Sequence, residues 1–183
     1  MILKVGVIFI LSWVNIPVDD PIVWSKEKKL SWNDFHANAP KLDSHIALSW
    51  VEIQYESSVG KAGKMTMEIK AVFIKEQSWV KQDRKSESIL KHEQYHFNLT
   101  EVWARKLRKE ITSKKWNTKT FEKEFNSLFK KHMAQTLKEQ LRYDNETNHS
   151  QVSDKQTEWE QAIDKELISM KNYSGINVPF LFE

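Results

Sequence analysis

The chain has 183 residues, of which 40% are hydrophobic, and this is enough for one sizeable core in a single domain. Its net charge is only +3, which argues against a nucleic-acid-binding protein, and its eight tryptophans and nine phenylalanines argue against a disordered chain. Because the chain has no cysteine, disulfides, thiol catalysis and cysteine-bound zinc are excluded, and any metal must be held by histidine or carboxylate side chains.

The N-terminal segment predicts export. An apolar run at residues 5–14 follows Lys4; it is too short to span a bilayer comfortably but has the length of a signal-peptide core. The Asn15-Ile16-Pro17 sequence lacks the small residues that signal peptidase prefers, so the segment is either cleaved or kept as an anchor. A hydrophobic first strand is the alternative interpretation. We therefore expect residues 1–16 to be a signal peptide or N-terminal anchor and the protein to be periplasmic or extracellular.

Short strands are predicted in the first half of the chain. Residues 22–24 and 30–32 are predicted to be short strands around a lysine-rich turn. Apolar and polar side chains alternate over residues 46–56 and again over residues 65–73, with a turn rich in Ser, Gly and Lys between the two segments. This pattern predicts a hairpin within a small antiparallel sheet.

Three helices are predicted to follow the sheet. Residues 86–111 contain helix formers without glycine or proline, residues 120–142 carry an apolar stripe, and a third helix has apolar side chains at helical spacing from Val152 to Met170. The residues of the stripe, which we expect to face the core, are Phe121, Phe125, Leu128, Phe129, Met133, Leu137 and Leu141. A short strand is expected within residues 176–182. The predicted fold class is α+β, with a small N-terminal antiparallel sheet packed on a C-terminal three-helix unit and a zincin-like active-site helix.

A His-Glu-X-X-His motif lies in the first of these helices, at residues 92–96. Side chains four residues apart share one face of a helix, so His92 and His96 can bind one ion while Glu93 is offset toward a neighbouring water position. Neutral imidazoles suit zinc, and three protein ligands leave a fourth position for that water. The motif predicts one zinc per chain with Glu93 as the general base. Two packed or solvated histidines on an amphipathic helix are the alternative interpretation.

The third metal ligand does not follow from the motif. Glu101 falls nearly opposite His92 on a regular helix and is expected to pair with Arg105, so we assign it a supporting role or that of an alternative ligand. Three other histidines are expected to be surface residues: His36, His45 and His132.

A polar break is predicted at residues 144–150, between the second and third helices. His149 can bind the metal from this break, or the break can be a turn in which Thr147 or Asn148 caps the third helix. The Tyr143 phenol, at the edge of the break, could stabilise an oxyanion, and Asp144 could bind the metal or orient an imidazole.

The motif and its surroundings resemble a bacterial family called domain of unknown function 922. The resemblance is carried by residues 92–97, 100–101, 104–108, 143–144 and 147–149, and it extends to residues 30–35 and 78–80, Gln156 and Trp159. It implies a secreted zinc-dependent protease in which His92 and His96 bind the metal, Glu93 is the acid/base residue and His149 is the third ligand. The family is expected to have glycine where this chain has Ser150, which could change the geometry of the loop that aims His149.

The leading hypothesis is that residues 17–183 form one catalytic domain, a zinc-dependent peptide-bond hydrolase acting outside the cytoplasm. Its partner would be a protein or peptide substrate, with no nucleic acid, and it would contact a membrane only through an uncleaved N-terminal segment. By analogy with other zinc peptidases, the strand at residues 65–73 would be the edge on which an extended substrate pairs. The alternatives are a metal-binding, non-catalytic envelope protein that binds a partner, and a lysine-rich platform for nucleic acid or an anionic surface.

Overall fold

The computed structural model describes residues 20–59, 65–180 and 182, and it has an α+β fold with a small antiparallel sheet and three α-helices. The predicted export segment, residues 1–16, lies outside the described residues. No helix in the described part of the chain is both long and apolar enough to cross a membrane.

The main sheet is built around one long hairpin, as predicted. It contains β1 (Ile22–Val23), β3 (Val51–Val59), β4 (Met65–Phe73) and β6 (Asn177–Pro179). Strand β3 pairs antiparallel with β4 from Val51 opposite Phe73 to Val59 opposite Met65. A second, two-stranded sheet pairs β2 (Ala47–Leu48) with β5 (Trp79–Val80).

Strand β4 lies in the centre of the main sheet, so the prediction that it offers a substrate-binding edge is wrong. Strand β3 covers one edge of β4, and β1 and β6 lie along the other, at residues 72–73 and 66–68 respectively. The prediction failed because two strands from opposite ends of the fold pair with β4, and local alternation carries no information about such distant partners. The strand predicted at residues 30–32 is also absent, because the turn Trp32–Asp34 is a 3₁₀ helix closed by the Ser31 and Asp34 side chains.

Helix α1 (Glu87–Thr112) is the central element of the fold, and each of its ends lies within one residue of the predicted limit. Ser86 accepts a hydrogen bond from the backbone N–H of Ile89 and so caps its start. One face packs on the sheet through Phe97 and Leu107, and another packs on the remaining helices through Leu99. Both faces are buried, so the His-Glu-X-X-His motif lies inside the molecule rather than on a solvated helix.

Helix α2 (Phe121–Thr147) ends five residues later than predicted, and α3 (Ser153–Ser169) follows it after a short turn. The predicted polar break at residues 144–150 is therefore helical up to Thr147. The apolar stripe faces the core only in the first half of α2. Leu137 and Leu141 are 60% and 53% exposed, so their predicted core position is wrong. In this second half the buried face is formed by Thr136, Tyr143 and Thr147.

Candidate metal centre

Three side chains from two helices converge on one point. Helix α1 contributes His92 and His96, whose Nε2 atoms are 3.1 Å apart, and the last turn of α2 contributes Asp144. The Asp144 Oδ1 atom lies 3.1 Å from His92 Nε2 and 2.9 Å from His96 Nε2. The i, i+4 spacing of the histidines gives this geometry on α1, and the extension of α2 past Arg142 brings the carboxylate to it.

Two glutamines determine which atoms of the histidine rings face this point. His92 Nδ1 lies 3.0 Å from Gln156 Oε1, and His96 Nδ1 lies 2.6 Å from Gln140 Oε1. An amide oxygen can only accept a hydrogen bond, so both Nδ1 atoms donate, and in the neutral rings both Nε2 atoms carry lone pairs. The three converging atoms are then all acceptors, and such a group requires a cation, either a proton or a metal ion, between its members.

The orientation of each glutamine is itself fixed by hydrogen bonds. The Gln140 amide group donates to the His96 carbonyl at 2.9 Å and to Thr100 Oγ1 at 3.0 Å. The Gln156 amide group donates to the Tyr143 hydroxyl at 2.7 Å and to a Glu160 carboxylate oxygen at 3.0 Å. With these donors placed, the amide oxygens must face the imidazoles. The arrangement holds both rings in one tautomer and one orientation.

The charges of the cluster follow from the same contacts. Burial lowers the pKa of His96, but the hydrogen bond and charge of Asp144, together with the charge of Glu93, outweigh burial and raise this pKa to about 9. Burial raises the pKa of Asp144, but the hydrogen bonds from His92 and His96 outweigh it and hold this pKa well below its usual range. Without a metal, the cluster therefore holds a proton on His96 beside a charged Asp144.

His149 lies at the solvent-exposed edge of the cluster. Its Nδ1 atom is 3.4 Å from Asp144 Oδ1, and its side chain is 44% exposed. Among the described residues, His92, Asp144 and His149 form a group whose potential ligand atoms all lie within 4.8 Å of one another and could hold a metal ion. The ring of His149 also packs edge-on against His45 at 4.8 Å between centroids.

An unusual turn carries His149. Asn148, His149 and Ser150 all have positive φ, at 46°, 51° and 71° respectively. Ser150 is the position at which the family was expected to have glycine, the residue that adopts positive φ without strain. The turn closes α2, because the His149 N–H donates to the Asp144 carbonyl. The interpretation in which Thr147 or Asn148 caps α3 is wrong, since the N-cap of α3 is Val152, without a side-chain cap. Consecutive left-handed residues other than glycine are costly, and such turns concentrate at functional sites.

Glu93 is a buried carboxylate with unused hydrogen-bonding capacity. Its residue is only 4% exposed, and no partner for Oε2 exists in the part of the chain that the structure describes. Its charge acts on both His96 and Tyr143, so the carboxylate lies beside the cluster. Buried polar atoms without partners are rare in folded proteins, and at a metal or ligand site they are explained by a group that binds there.

Tyr143 is buried against the two histidines. Its ring stacks on His92 at 4.5 Å between centroids and meets His96 edge-on at 4.9 Å. Its hydroxyl donates to the His92 carbonyl and accepts from Gln156, and burial raises its pKa above the usual range. Both hydrogen-bonding directions of the phenol are thus used within the protein and its residue has no exposed surface, while its role at an oxyanion stays a prediction.

Glu101 lies outside the cluster, in a buried ionic network on the sheet side of α1. It accepts from Arg105 Nε at 2.8 Å, the pair predicted from the sequence, and from Arg108 Nη1 at 2.9 Å. The Arg108 guanidinium also donates to the Ile69 carbonyl of β4. Its oxygens are thus engaged by arginine side chains, and Glu101 supports the fold rather than the metal centre.

The three remaining histidines are also paired with carboxylates. His36 and His45 are at least partly exposed, as predicted, and contact Glu76 and Asp43. His132 is buried, so its predicted surface position is wrong; its Nε2 contacts Glu110 at 2.9 Å. Sequence reasoning missed Gln140, because the predicted end of the second helix at residue 142 separated it from Asp144.

The family model described as "Bacterial protein of unknown function (DUF922)" matches residues 32–150 of the chain, which includes the histidine pair, Glu93, Asp144 and His149. No curated protein and no solved structure is significantly similar to the chain.

Proposed function

From the site itself, we propose that this chain, which belongs to the bacterial family of unknown function DUF922, is a zinc-dependent peptide-bond hydrolase. The proposal keeps the expectation that the protein acts outside the cytoplasm. It rests on one observation: three acceptor atoms converge beside a buried carboxylate that has no hydrogen-bond partner among the described residues.

The spacing of the acceptors supports zinc. Ligand atoms around tetrahedral zinc, with bonds of about 2.0–2.1 Å, lie about 3.3 Å apart. The separations among His92 Nε2, His96 Nε2 and Asp144 Oδ1 are 2.9–3.1 Å. Neutral imidazole and carboxylate are also ligands that zinc accepts, and the glutamine contacts match the usual outer hydrogen bonds of zinc-bound histidines. We infer that these three atoms hold the ion, which makes Asp144 the third ligand.

The remaining groups have roles that follow from their positions. When bound, zinc supplies a water molecule whose pKa is lowered toward neutrality and polarises a carbonyl oxygen. Glu93 accepts the proton released in the attack on the carbonyl carbon and passes it to the leaving amine. Its lack of a partner fits this role, because a carboxylate tied up in hydrogen bonds would be a weaker base. The zincin-like active-site helix of the prediction is thus α1 in this proposal.

We assign His149 to the mouth of the site rather than to the ion. It is exposed and lies near Asp144, where it can contact a substrate or close over the metal. This assignment differs from the expectation drawn from the family resemblance, in which His149 is the third ligand. The two assignments predict different metal contents for single variants.

The test is metal content by elemental analysis, measured together with hydrolysis of a mixture of unstructured peptides. We expect about one zinc per chain in the parent protein, loss of zinc in His96→Ala and Asp144→Ala, and retention in His149→Ala. His36→Ala is the matched control, because this partly exposed histidine contacts Glu76 and takes no part in the cluster. Zinc lost in His149→Ala but kept in Asp144→Ala would restore His149 as the third ligand.

The second arm of the test is Glu93→Gln. We expect zinc to stay bound while hydrolysis falls by about 10²–10⁴-fold, since general-base catalysis contributes that much. A parent protein without metal, refolded in the presence of zinc, would refute the proposal. A parent that binds zinc but hydrolyses nothing would leave the other hypothesis, a metal-binding protein that recognises a partner.

A further inference from the structure

Among the described residues of the candidate metal centre, Asp144 and His149 are the exposed members and His92 is closed off. Residue His92 is 3% exposed, whereas the side chains of Asp144 and His149 are 23% and 44% exposed. Helix α3 covers the opposite side, where Tyr143 and Glu146 of α2 contact it through Gln156 and Trp159. A substrate must therefore approach along the open side of the last turns of α2.

Two exposed leucines lie on this open side. At about 100° per residue, Leu137 is within about 20° of Asp144 around the axis of α2, and Leu141 is within about 60°. Glu146, which faces α3, is about 160° away from Asp144 by the same geometry. The two leucines are 60% and 53% exposed, and their spacing of four residues makes them neighbours on one face of the helix. We call Leu137 and Leu141 the leucine pair.

The leucine pair has no role in the core. The side chains that α2 buries in this region are Thr136, Tyr143 and Thr147, with Gln140 reaching His96. The pair begins about 4.5 Å from Asp144 along the helix axis and ends about 10.5 Å from it. An extended peptide advances about 3.3 Å per residue, so this span corresponds to about three residues beside the reacting bond.

We propose that the leucine pair binds an apolar side chain of the substrate within about three residues of the scissile bond, so that the protein prefers peptides with leucine-like or phenylalanine-like residues there. This inference rests on the proposed function, which supplies the peptide and its position. The occupant is a peptide because the leucine pair lies on the open side of the metal centre, where the peptide bond must lie.

The experiment measures binding separately from hydrolysis. Zinc-loaded Glu93→Gln protein is titrated with capped fluorescent hexapeptides that differ at one position, which is leucine, phenylalanine or asparagine. We expect the apolar peptides to bind about tenfold more tightly than the asparagine peptide, as burial of one such side chain allows. Introducing Leu137→Asn and Leu141→Asn together into the Glu93→Gln protein should reduce this preference to less than about twofold without loss of zinc.

The matched control is Ile168→Asn, which removes an exposed apolar side chain from α3, a different helix from the one that carries the leucine pair. The preference should survive in this variant. A preference that persists without the leucine pair, or no peptide binding at all, would overturn the inference. The inference would also be overturned if substituting the leucine pair changed only vesicle binding, measured by flotation, or self-association, measured by sedimentation.

The two proposals fail in distinguishable ways. If the protein with Glu93 intact does not cleave peptides that the Glu93→Gln form binds through the leucine pair, the proposed function fails and the binding surface stands. If it cleaves peptides without regard to apolar residues, the hydrolase stands and the inference about the leucine pair fails.

Discussion

Two glutamates of α1 are both buried, and the same substitution is expected to change the stability of the protein in opposite directions at the two positions. Glu93 has an oxygen without a partner in the described part of the chain, whereas Glu101 accepts from Arg105 and Arg108. A Glu→Gln change keeps the size and shape of the side chain and removes its charge. The comparison therefore contrasts a buried carboxylate that is paired by hydrogen bonds with one that acts on its neighbours only through its charge.

The expected magnitudes follow from these contacts. A neutral amide is less costly to bury than an unpaired carboxylate, so Glu93→Gln should raise the free energy of unfolding by about 1–2 kcal/mol. Glu101→Gln leaves two buried arginines without their counter-charge and should lower it by about 3–5 kcal/mol. For a chain of this size, each kcal/mol shifts Tm by about 2–4 °C.

The assay is thermal and urea denaturation, followed by circular dichroism, of protein treated with a chelator at neutral pH. Removing metal is essential, because a bound ion would stabilise the folded state in proportion to its affinity. A Glu93→Gln protein that is less stable than the parent would refute the reasoning, because it would mean that the carboxylate stabilises the fold through a contact and is not held at the site at a cost. A gain in stability in Glu101→Gln would equally refute the structural role of the ionic network.

Further predictions concern the proposed metal centre and the loop beside it. In the proposed site, zinc displaces the proton of His96, whose pKa is raised to about 9. Zinc affinity measured by calorimetry should therefore rise about tenfold per pH unit from pH 7 to pH 9. An affinity that does not change with pH would contradict this. For the metal-free protein, the contribution of His96 to the free energy of unfolding should be complete below its ordinary pKa of 6.5 and disappear as the pH rises through about 9. The contribution of Asp144 should disappear as the pH falls below 3.8. Denaturation at several pH values would detect both changes. Ser150→Gly should stabilise the protein by about 1 kcal/mol by relieving a positive φ, and Asn148→Gly by less, because asparagine tolerates this conformation; equal gains would contradict the explanation. Gln140→Ala should weaken zinc binding by about 10–100-fold in a competition assay with a chelator, and unchanged affinity would mean that the amide does not orient His96.

Local patterns were sufficient to predict the main secondary structure. Strand β4 and α1 lie within one residue of their predicted limits because alternation and helical periodicity are properties of neighbouring residues, whereas β3 begins five residues and ends three residues later than predicted. The spacing of His92 and His96 likewise implied their convergence, since four residues make about one helical turn. These features depend on no partner elsewhere in the chain.

The parts that were missed depend on distant partners. Residues 142–147 have the polar composition of a turn, yet they are helical because Tyr143 packs on His92 and Thr147 is fully buried. The same contact brings Asp144 to the histidines, so the position of the carboxylate could not be derived from α2 alone. Leu137 was assigned to the core because the apolar stripe of α2 continues past the point where a polar face takes its place.

The pairing of β4 has a consequence for the order in which the chain can fold during synthesis. One edge of β4 is covered by the neighbouring β3. Residues 66–68 on the other edge cannot pair until β6, which lies about 100 residues later in the chain, has been synthesised. At about 5–20 residues per second, a ribosome needs about 5–20 s to translate that interval. A strand edge whose backbone groups stay unpaired for that time is a template for aggregation, so the nascent chain should depend on chaperones until residues 177–179 have emerged.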